Sequence, residues 1–275
     1  MSKARGAFAA ASVAAVCVIA WPRPSASQTK LPPIVQRASE YVTAFVTRFS
    51  SMVADEVYVQ ETERPHKRRE LHADFLLVKP PGQNEWFQFR DVYEIDGVPV
   101  AGREQRMAEL FVNPPANLME RLRAVMSEGA KYNLEDIGTL DRPLIALSFL
   151  QSVYVDRFAF TIGRHDDSVG PGVRIVQFRE IARPTFLRGG IGDLPSRGIY
   201  WIEEDTGRVV KTELGFRSNF VETTFKYDVE LQADVPVRMT QRWVVGRDRI
   251  SEFNATATYG RFRRFNVQTD EKIGR

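Results

Sequence analysis

Cysteine and histidine are scarce in this sequence of 275 residues. The one cysteine, Cys17, can neither form a disulfide within the chain nor build a cysteine-ligated zinc site. The three histidines, His66, His72 and His165, do not stand at the spacings at which paired ligands bind zinc. We therefore expect a protein that holds neither a metal ion nor a cofactor.

Several catalytic fingerprints are also missing. The chain has no Gly-x-Ser-x-Gly segment, which would present a serine nucleophile, and no Gly-x-x-x-x-Gly-Lys loop or Rossmann fingerprint, which would hold phosphates. At 43% hydrophobic residues the chain can nonetheless bury a full core. The sequence therefore favours a folded, non-catalytic protein.

Excess positive charge occurs only at the N-terminus. The formal net charge is +3, and Lys3, Arg5 and Arg23 account for it, because the first 27 residues contain no acidic side chain. The rest of the chain is neutral, so composition gives no reason to expect a nucleic-acid partner.

Residues 1–27 have the organisation of a secretory signal peptide. A basic start precedes an apolar run over residues 7–21, and Ser25-Ala26-Ser27 is a small-residue cleavage pattern. The run is shorter than the roughly 20 residues that a spanning helix needs. We therefore expect residues 28–275 to be a single exported domain, periplasmic or extracellular, that does not span the membrane. An uncleaved anchor and lipidation at Cys17 are the alternatives.

An amphipathic helix is predicted at the start of the exported part. Apolar residues recur at steps of three and four between residues 31 and 53, which places them on one helical face. Pro32 and Pro33 stand at its start, where a missing backbone N–H costs little. The apolar stripe must pack against the rest of the protein.

Strand patterns dominate the remainder. Residues 57–63, 71–79 and 86–95 read as strands, Asp96-Gly97 is a strong hairpin signal, and strand patterns return after residue 152. The total is about ten or eleven strands, mostly joined by hairpins. Hairpin connections imply an antiparallel sheet, and the polar alternate positions imply one solvated face.

A helical insertion over residues 103–150 interrupts these strands. Its third helix, which follows Asp141, is apolar on most sides, so we expect it to be buried or to cover a buried surface. The apolar side chains expected on the second and third helices are Leu118, Leu122, Met126, Leu144, Leu147 and Phe149.

Short motifs along the strands carry a resemblance. Residues 75–82, Phe-Leu-Leu-Val-Lys-Pro-Pro-Gly, are followed by Trp86, Asp96-Gly97 and later Asp205-Thr206-Gly207. These segments are similar to successive strand ends and turns of the periplasmic lipoprotein-carrier superfamily, the LolA-like half-barrel proteins. Residues 257–265 resemble the closing strand of related secreted proteins of unknown function.

The resemblance implies an α+β fold. It consists of a curved antiparallel sheet of about ten or eleven strands, a half-barrel, with a long N-terminal helix and the helical insertion as a lid. In the carriers the apolar concave face encloses a cavity for acyl chains. The insertion is longer than the family pattern, which leaves open whether the cavity is empty or filled by the third helix.

The third strand supplies the candidate residues on the sheet. Phe87, Phe89 and Tyr93 alternate along it, and we expect them to face a hydrophobic ligand together with the lid residues. Asp91 shares their face. A buried carboxylate needs a partner, so Asp91 is predicted to form a buried ion pair with an arginine. Because the carriers tether their lid with an arginine, the resemblance also suggests an acid–arginine latch.

Three functions are compatible with the sequence. The first is an exported, non-catalytic protein that binds a hydrophobic ligand, such as a lipid, or an acylated partner, such as a lipoprotein, on the concave face. The second is a structural or partner-binding envelope module with a solid core. The third is a hydrolase that uses a carboxylate such as Asp91 with a second titratable group, for example Glu104. The sequence does not indicate an oligomeric state.

Overall fold

The computed structural model describes seven stretches of the chain. They are residues 30–48, 51–79, 86–102, 129–134, 139–189, 192–245 and 251–264. The expected signal peptide lies outside them, as do Glu104 and the predicted lid residues Leu118, Leu122 and Met126.

An open antiparallel sheet of eleven strands forms the body of the protein. Its spatial order is β4-β3-β2-β1-β13-β12-β11-β10-β9-β6-β5, and every neighbouring pair is antiparallel. The strands are β1 (Ser51–Glu63), β2 (His66–Val78), β3 (Phe87–Ile95), β4 (Val98–Pro99), β5 (Phe158–His165), β6 (Val173–Glu180), β9 (Arg197–Glu203), β10 (Val209–Phe216), β11 (Asn219–Asp228), β12 (Ala233–Val245) and β13 (Ser251–Arg264). The predicted fold class, a large antiparallel sheet with one long helix, is confirmed.

Smaller elements complete the fold. A separate hairpin is formed by β7 (Leu187–Gly189) and β8 (Gly192–Leu194). Among the described residues the helices are α1 (Pro33–Arg48) and α2 (Ile145–Ser148), and short 3-10 turns lie at Ala130–Tyr132 and Val155–Arg157. No helix among the described residues has the length and apolar character needed to cross a bilayer.

Helix α1 ends earlier than the apolar spacing predicts. It stops at Arg48, and Met52 and Val53, which the pattern assigned to the helix, belong to β1. Met52 is buried and pairs with Leu77 of β2, so its position in the sheet is part of the core. The spacing fails here because apolar residues of a strand can continue a helical pattern for one turn.

The inner face of the sheet is the one against which α1 packs. Val35, Ala38 and Val42 of α1 are fully buried, and the ring centroid of Phe45 lies 5.4 Å from that of Trp86 at the start of β3. One apolar cluster joins the helix, α2 and inward side chains of most strands. The opposite face is called the outer face below.

Polar contacts hold α1 on the sheet. Asp234 of β12, only 2% exposed, accepts hydrogen bonds from Tyr41 (2.7 Å) and from two guanidinium nitrogens of Arg208 (2.8 and 2.7 Å). Arg37 donates to the backbone oxygen of Glu204. The helix is therefore tied to both ends of the β9–β10 turn and to the start of β12.

Glycine at position 207 lets the β9–β10 turn approach α1. Gly207 has φ +74, and a Cβ atom there would lie 2.5 Å from the carbonyl carbon and oxygen of Arg37 and 2.8 Å from the nitrogen of Ala38. Both the left-handed backbone and the close approach favour glycine.

We expect Gly207→Ala to destabilise the protein more than Gly97→Ala. Both sites are left-handed, at a strain cost of about 1–2 kcal/mol, but a Cβ at Gly97 meets nothing within 4 Å. At Gly207 the clash with the helix backbone should add about 1–3 kcal/mol. Urea unfolding of the two variants measures the difference, and equal losses would show that the close approach is dispensable.

A buried carboxylate organises the crossover from β6 to β9. Glu180 is 5% exposed and accepts hydrogen bonds from the backbone N–H groups of Phe186 (2.5 Å) and Ser196 (3.3 Å). A nitrogen of Arg157 lies 3.5 Å from it. Burial raises the pKa of Glu180 above its ordinary value of 4.5, and the two N–H groups and Arg157 offset this only in part.

Stability should therefore depend on pH through Glu180. Between pH 4.5 and its raised native pKa, the folded protein binds more protons there than the unfolded chain does. The contribution of Glu180 to the free energy of unfolding should thus fall as pH rises through this window. Urea unfolding from pH 4 to 7 should show wild type losing stability relative to Glu180→Gln. The exposed-site variant Glu230→Gln controls for the lost charge, and a difference independent of pH would contradict the assignment.

Candidate functional site

A short segment over residues 139–151, which contains α2, covers part of the inner face. We call it the cover. Its predicted lid residues Leu144, Leu147 and Phe149 are each at most 2% exposed, so the expectation that the third helix is buried is confirmed. The helix itself is shorter than predicted, because only one turn, Ile145–Ser148, is regular.

Hydrogen bonds from β3, from Trp86 just before it and from β9 position the cover. The N–H of Leu144 donates to Oε1 of Gln88 (2.9 Å), and the indole nitrogen of Trp86 donates to Oγ of Ser148 (3.1 Å). At the far side, the hydroxyl of Tyr200 in β9 donates to the backbone oxygen of Ala146 (2.7 Å). The cover therefore bridges strands near opposite ends of the sheet order.

A buried ion cluster lies where the cover begins. Arg90 of β3, 5% exposed, donates from Nε and Nη2 to the two carboxylate oxygens of Glu56, at 2.5 and 2.7 Å. Its Nη1 donates to Oδ2 of Asp141 on the cover (3.1 Å). The guanidinium carbon lies 3.8 Å from the ring centroid of Tyr58. One guanidinium thus joins β1, β3 and the cover.

Asp141 receives further donors from the sheet. Tyr58 donates its hydroxyl proton to Oδ1 (3.1 Å), and Nε2 of Gln241 donates to the same oxygen (3.2 Å). The indole nitrogen of Trp243 in turn donates to Oε1 of Gln241 (2.8 Å). We call Glu56, Tyr58, Arg90, Asp141 and Gln241 the Arg90 cluster.

A second polar contact lies beside the cluster. The amide of Gln60 donates to Oδ1 of Asn133 (2.7 Å), and Asn133 donates to Oγ1 of Thr139 (2.8 Å), the first residue of the cover. Gln60 also accepts a hydrogen bond from the N–H of Leu134. The inner positions of β1 from Glu56 to Gln60 are therefore polar although they are buried.

The cluster favours ionised side chains. Burial acts to raise the pKa of Asp141, but the charge of Arg90 and hydrogen bonds from Thr139, Gln241 and Tyr58 outweigh it, so this pKa is lowered. Burial acts to lower the pKa of Arg90, but the charges of Glu56 and Asp141 raise it well above its ordinary value. Asp141 and Arg90 therefore attract each other as ions at neutral pH.

The candidate residues of β3 lie on the other face from the one expected. Trp86, Gln88 and Arg90 point to the cover. Phe87 and Phe89 share the outer face with their register partners Val78 and Leu76, and Tyr93 lies beside His72 on that face. The structure therefore places these three side chains away from the cover, and their contact with a ligand stays a prediction.

Asp91 is buried, as predicted, but it is not part of the Arg90 cluster. It is 2% exposed and stands opposite Asp74 on the outer face. An ion pair for Asp91 stays a prediction. The strand pattern failed because the middle of β3 is buried on both faces, so alternation shows which residues share a face but not which face is inside.

Among the described residues, an apolar crevice beside the cover has room for about one water molecule. Its walls come from the end of α1, the cover and four strands: Phe45, Met52, Val53, Ala54, Phe75, Leu77, Leu144, Val235, Pro236 and Phe262. In this arrangement of the described residues, the crevice is too small for an acyl chain.

Comparison with known proteins gives matches among solved structures. Neither a family model nor a curated protein sequence matches the chain. A candidate outer membrane lipoprotein-sorting protein domain from Vibrio parahaemolyticus matches with 9% identity and a TM-score of 0.39, over 85% of this chain and 95% of its own.

Two further structures are similar over comparable lengths. A LolA superfamily protein from Nitrosomonas europaea is 8% identical with a TM-score of 0.38, over 88% of this chain and 97% of its own. A DUF1329 family protein from Desulfovibrio piger is 10% identical with a TM-score of 0.37, over 87% and 97%. At identities of 8–10% and TM-scores of 0.37–0.39 these matches do not assign a function, which must be argued from the chain's own side chains.

Replacing Arg90 should lower the free energy of unfolding far more than replacing a surface arginine. Arg90→Met leaves Glu56 buried without its guanidinium, for an expected loss of about 3–5 kcal/mol. Arg263, half exposed and 3.0 Å from Asp55, should cost less than about 1 kcal/mol as Arg263→Met. Urea unfolding checks both, and the double variant Glu56→Gln/Arg90→Met should recover part of the loss. Equal effects at the two arginines would refute the assignment.

Proposed function

We propose that this protein binds an acyl chain or a similar apolar ligand, free or attached to a partner, between the inner face of its sheet and the cover. The observation that carries the proposal is the Arg90 cluster. It places a charged contact between the sheet and a segment that, from Pro143 to Leu150, is apolar except for Ser148.

The cost of burying these charges supports this function. A buried ion pair contributes little net stability compared with apolar side chains of the same size, because both charges lose their hydration. A segment needed only to fill the core would hold as well with apolar contacts. Charged partners define one closed position, and water can solvate them again when the segment lifts, so they suit a latch.

The two ends of the cover are held by different chemistry. Asp141, at its start, is held by hydrogen bonds, whereas Phe149, near its end, stacks on Phe158 at 4.7 Å and packs edge-on against Phe178 and Phe186. Rings at such distances attract each other beyond the area they bury. The aromatic end would therefore stay in place while the Asp141 end lifts and exposes Leu144 and Leu147.

Export is part of the proposal. The basic start, apolar run and small-residue cleavage pattern of residues 1–27 support delivery to the periplasm or the outside of the cell. A binding site for acyl chains would serve there to carry a lipid or lipoprotein through water.

A second candidate function rests on a different observation. The crevice beside the cover has room for only about one water molecule. This favours a structural or partner-binding envelope module in which the Arg90 cluster selects a single packing of the core. Such a protein would bind no lipid.

Asp141→Asn should tighten binding of a fluorescent fatty acid such as cis-parinaric acid. The substitution keeps the shape of the side chain but removes the charge that pairs with Arg90, so the open state becomes more populated and apparent affinity rises several-fold. Fluorescence titration measures this apparent affinity. Mass spectrometry of an organic extract of the wild-type protein, purified from native membranes, should also detect lipid.

Asp234→Asn is the matched control for this experiment. It removes another buried acceptor of an arginine, Arg208, but one that holds α1 and not the cover. It should destabilise the protein without tightening fatty-acid binding. If the extract contains no lipid and both variants bind the probe as weakly as wild type, the acyl-binding function is wrong and the solid-core module stands.

A further inference from the structure

Exposed arginines line up across the outer face at one end of the sheet. Arg179 of β6 is the register partner of Arg197 of β9, and both are exposed. Arg197 stands opposite Gly215 of β10, which stands opposite Phe220 of β11. Phe220 in turn is the partner of Arg242 of β12.

These positions form one row perpendicular to the strands. Neighbouring strands lie about 4.8 Å apart, so Arg179 and Arg242 are roughly 19 Å apart across four strand spacings. Arg217, exposed with φ +56, occupies the turn that joins β10 to β11 at the same end. We call Arg179, Arg197, Arg217 and Arg242 the arginine row.

Carboxylates of the described residues do not neutralise the arginine row. Within the part of the chain that the structure describes, none of the four has a carboxylate within salt-bridge distance, whereas the nearby Glu222 is paired with Lys211 at 2.7 Å. Like charges directly opposite each other in a sheet are destabilising, and Arg179 faces Arg197 in this way. Stability alone gives no reason for this arrangement.

Apolar side chains accompany the arginines. Ile181, next along the chain from β6, is 52% exposed. The half-buried ring of Phe220 lies over Gly215, where a Cβ would be only 3.2 Å from it, and the guanidinium of Arg242 lies 5.4 Å from the ring centroid. Arginines flanking exposed apolar groups are typical of surfaces that rest on the headgroup layer of a membrane.

We propose that the arginine row is a docking surface for a membrane rich in anionic phospholipids. The four arginines lie at one end of the outer face, so they can contact several headgroups at once, while Ile181 and Phe220 reach the boundary of the acyl chains. The cover lies on the inner face, so docking leaves it unobstructed. This inference stands whether or not the cover opens, because it rests on a different face and different side chains.

Vesicle co-sedimentation of the full chain tests the proposal. Phosphatidylcholine vesicles with about one third phosphatidylglycerol should bind the protein, and pure phosphatidylcholine vesicles should bind it much more weakly. The triple variant Arg179→Gln/Arg197→Gln/Arg217→Gln should bind the anionic vesicles roughly a hundredfold more weakly, since each arginine near such a surface contributes about fivefold. Raising salt from about 0.1 M to about 1 M should weaken wild-type binding in the same direction.

A control of equal charge change separates the surface from the net charge. Lys30→Gln/Arg164→Gln/Lys226→Gln removes three exposed cations from the opposite end of the molecule and should leave binding within a few-fold of wild type. The apolar run near the N-terminus is present in every variant, so its contribution to vesicle binding is the same in wild type and in both triple variants. The proposal is wrong if both triple variants lose binding equally or if neutral vesicles bind as well. It is also wrong if the protein binds neither kind of vesicle but binds a single-stranded oligonucleotide in a way that depends on these arginines.

Discussion

The guanidinium of Arg90 determines how the cover sits on the sheet. Its five N–H donors form a planar fork, which lets one side chain hold Glu56 through two hydrogen bonds and still reach Asp141 on a separate segment. Lysine could not replace it, because an ammonium group lacks that geometry. The position of α2, and with it the burial of Leu144 and Leu147, follows from this one contact and its neighbours.

Two separate polar contacts, called anchors here, hold the cover and α1 on the inner face of the sheet. The Arg90 cluster connects the cover to β1, β3 and β12, and the contacts of Asp234 with Arg208 and Tyr41 connect α1 to β12 and to the residue before β10. Each anchor is a buried or partly buried carboxylate that accepts from an arginine and a tyrosine. Because they share no residue, one can be weakened without the other, which is why Asp141 and Asp234 make a matched pair of test sites.

The sequence predicted the sheet better than it predicted the site. Alternating polar and apolar residues, together with Asp-Gly and Thr-Gly turns, predicted an antiparallel sheet. This prediction succeeded because hairpins depend on local residues. The inner face of β3 was misassigned because Phe89 looks like core and Arg90 looks like surface, yet both are buried. Only the tertiary partners Glu56 and Asp141, 34 and 51 residues away, make burial of Arg90 tolerable. No local pattern could reveal them.

The pairing of β1 with β13 has a consequence for how the chain folds. Asp55 meets Arg261 across 206 residues, and this junction lies inside the sheet, with strands on both sides. Until the last strand is available, β1 has a free edge and the two halves of the sheet remain separate. Contacts between residues so distant in sequence slow folding. The complete sheet can therefore form only after β13, the last described strand, has been synthesised.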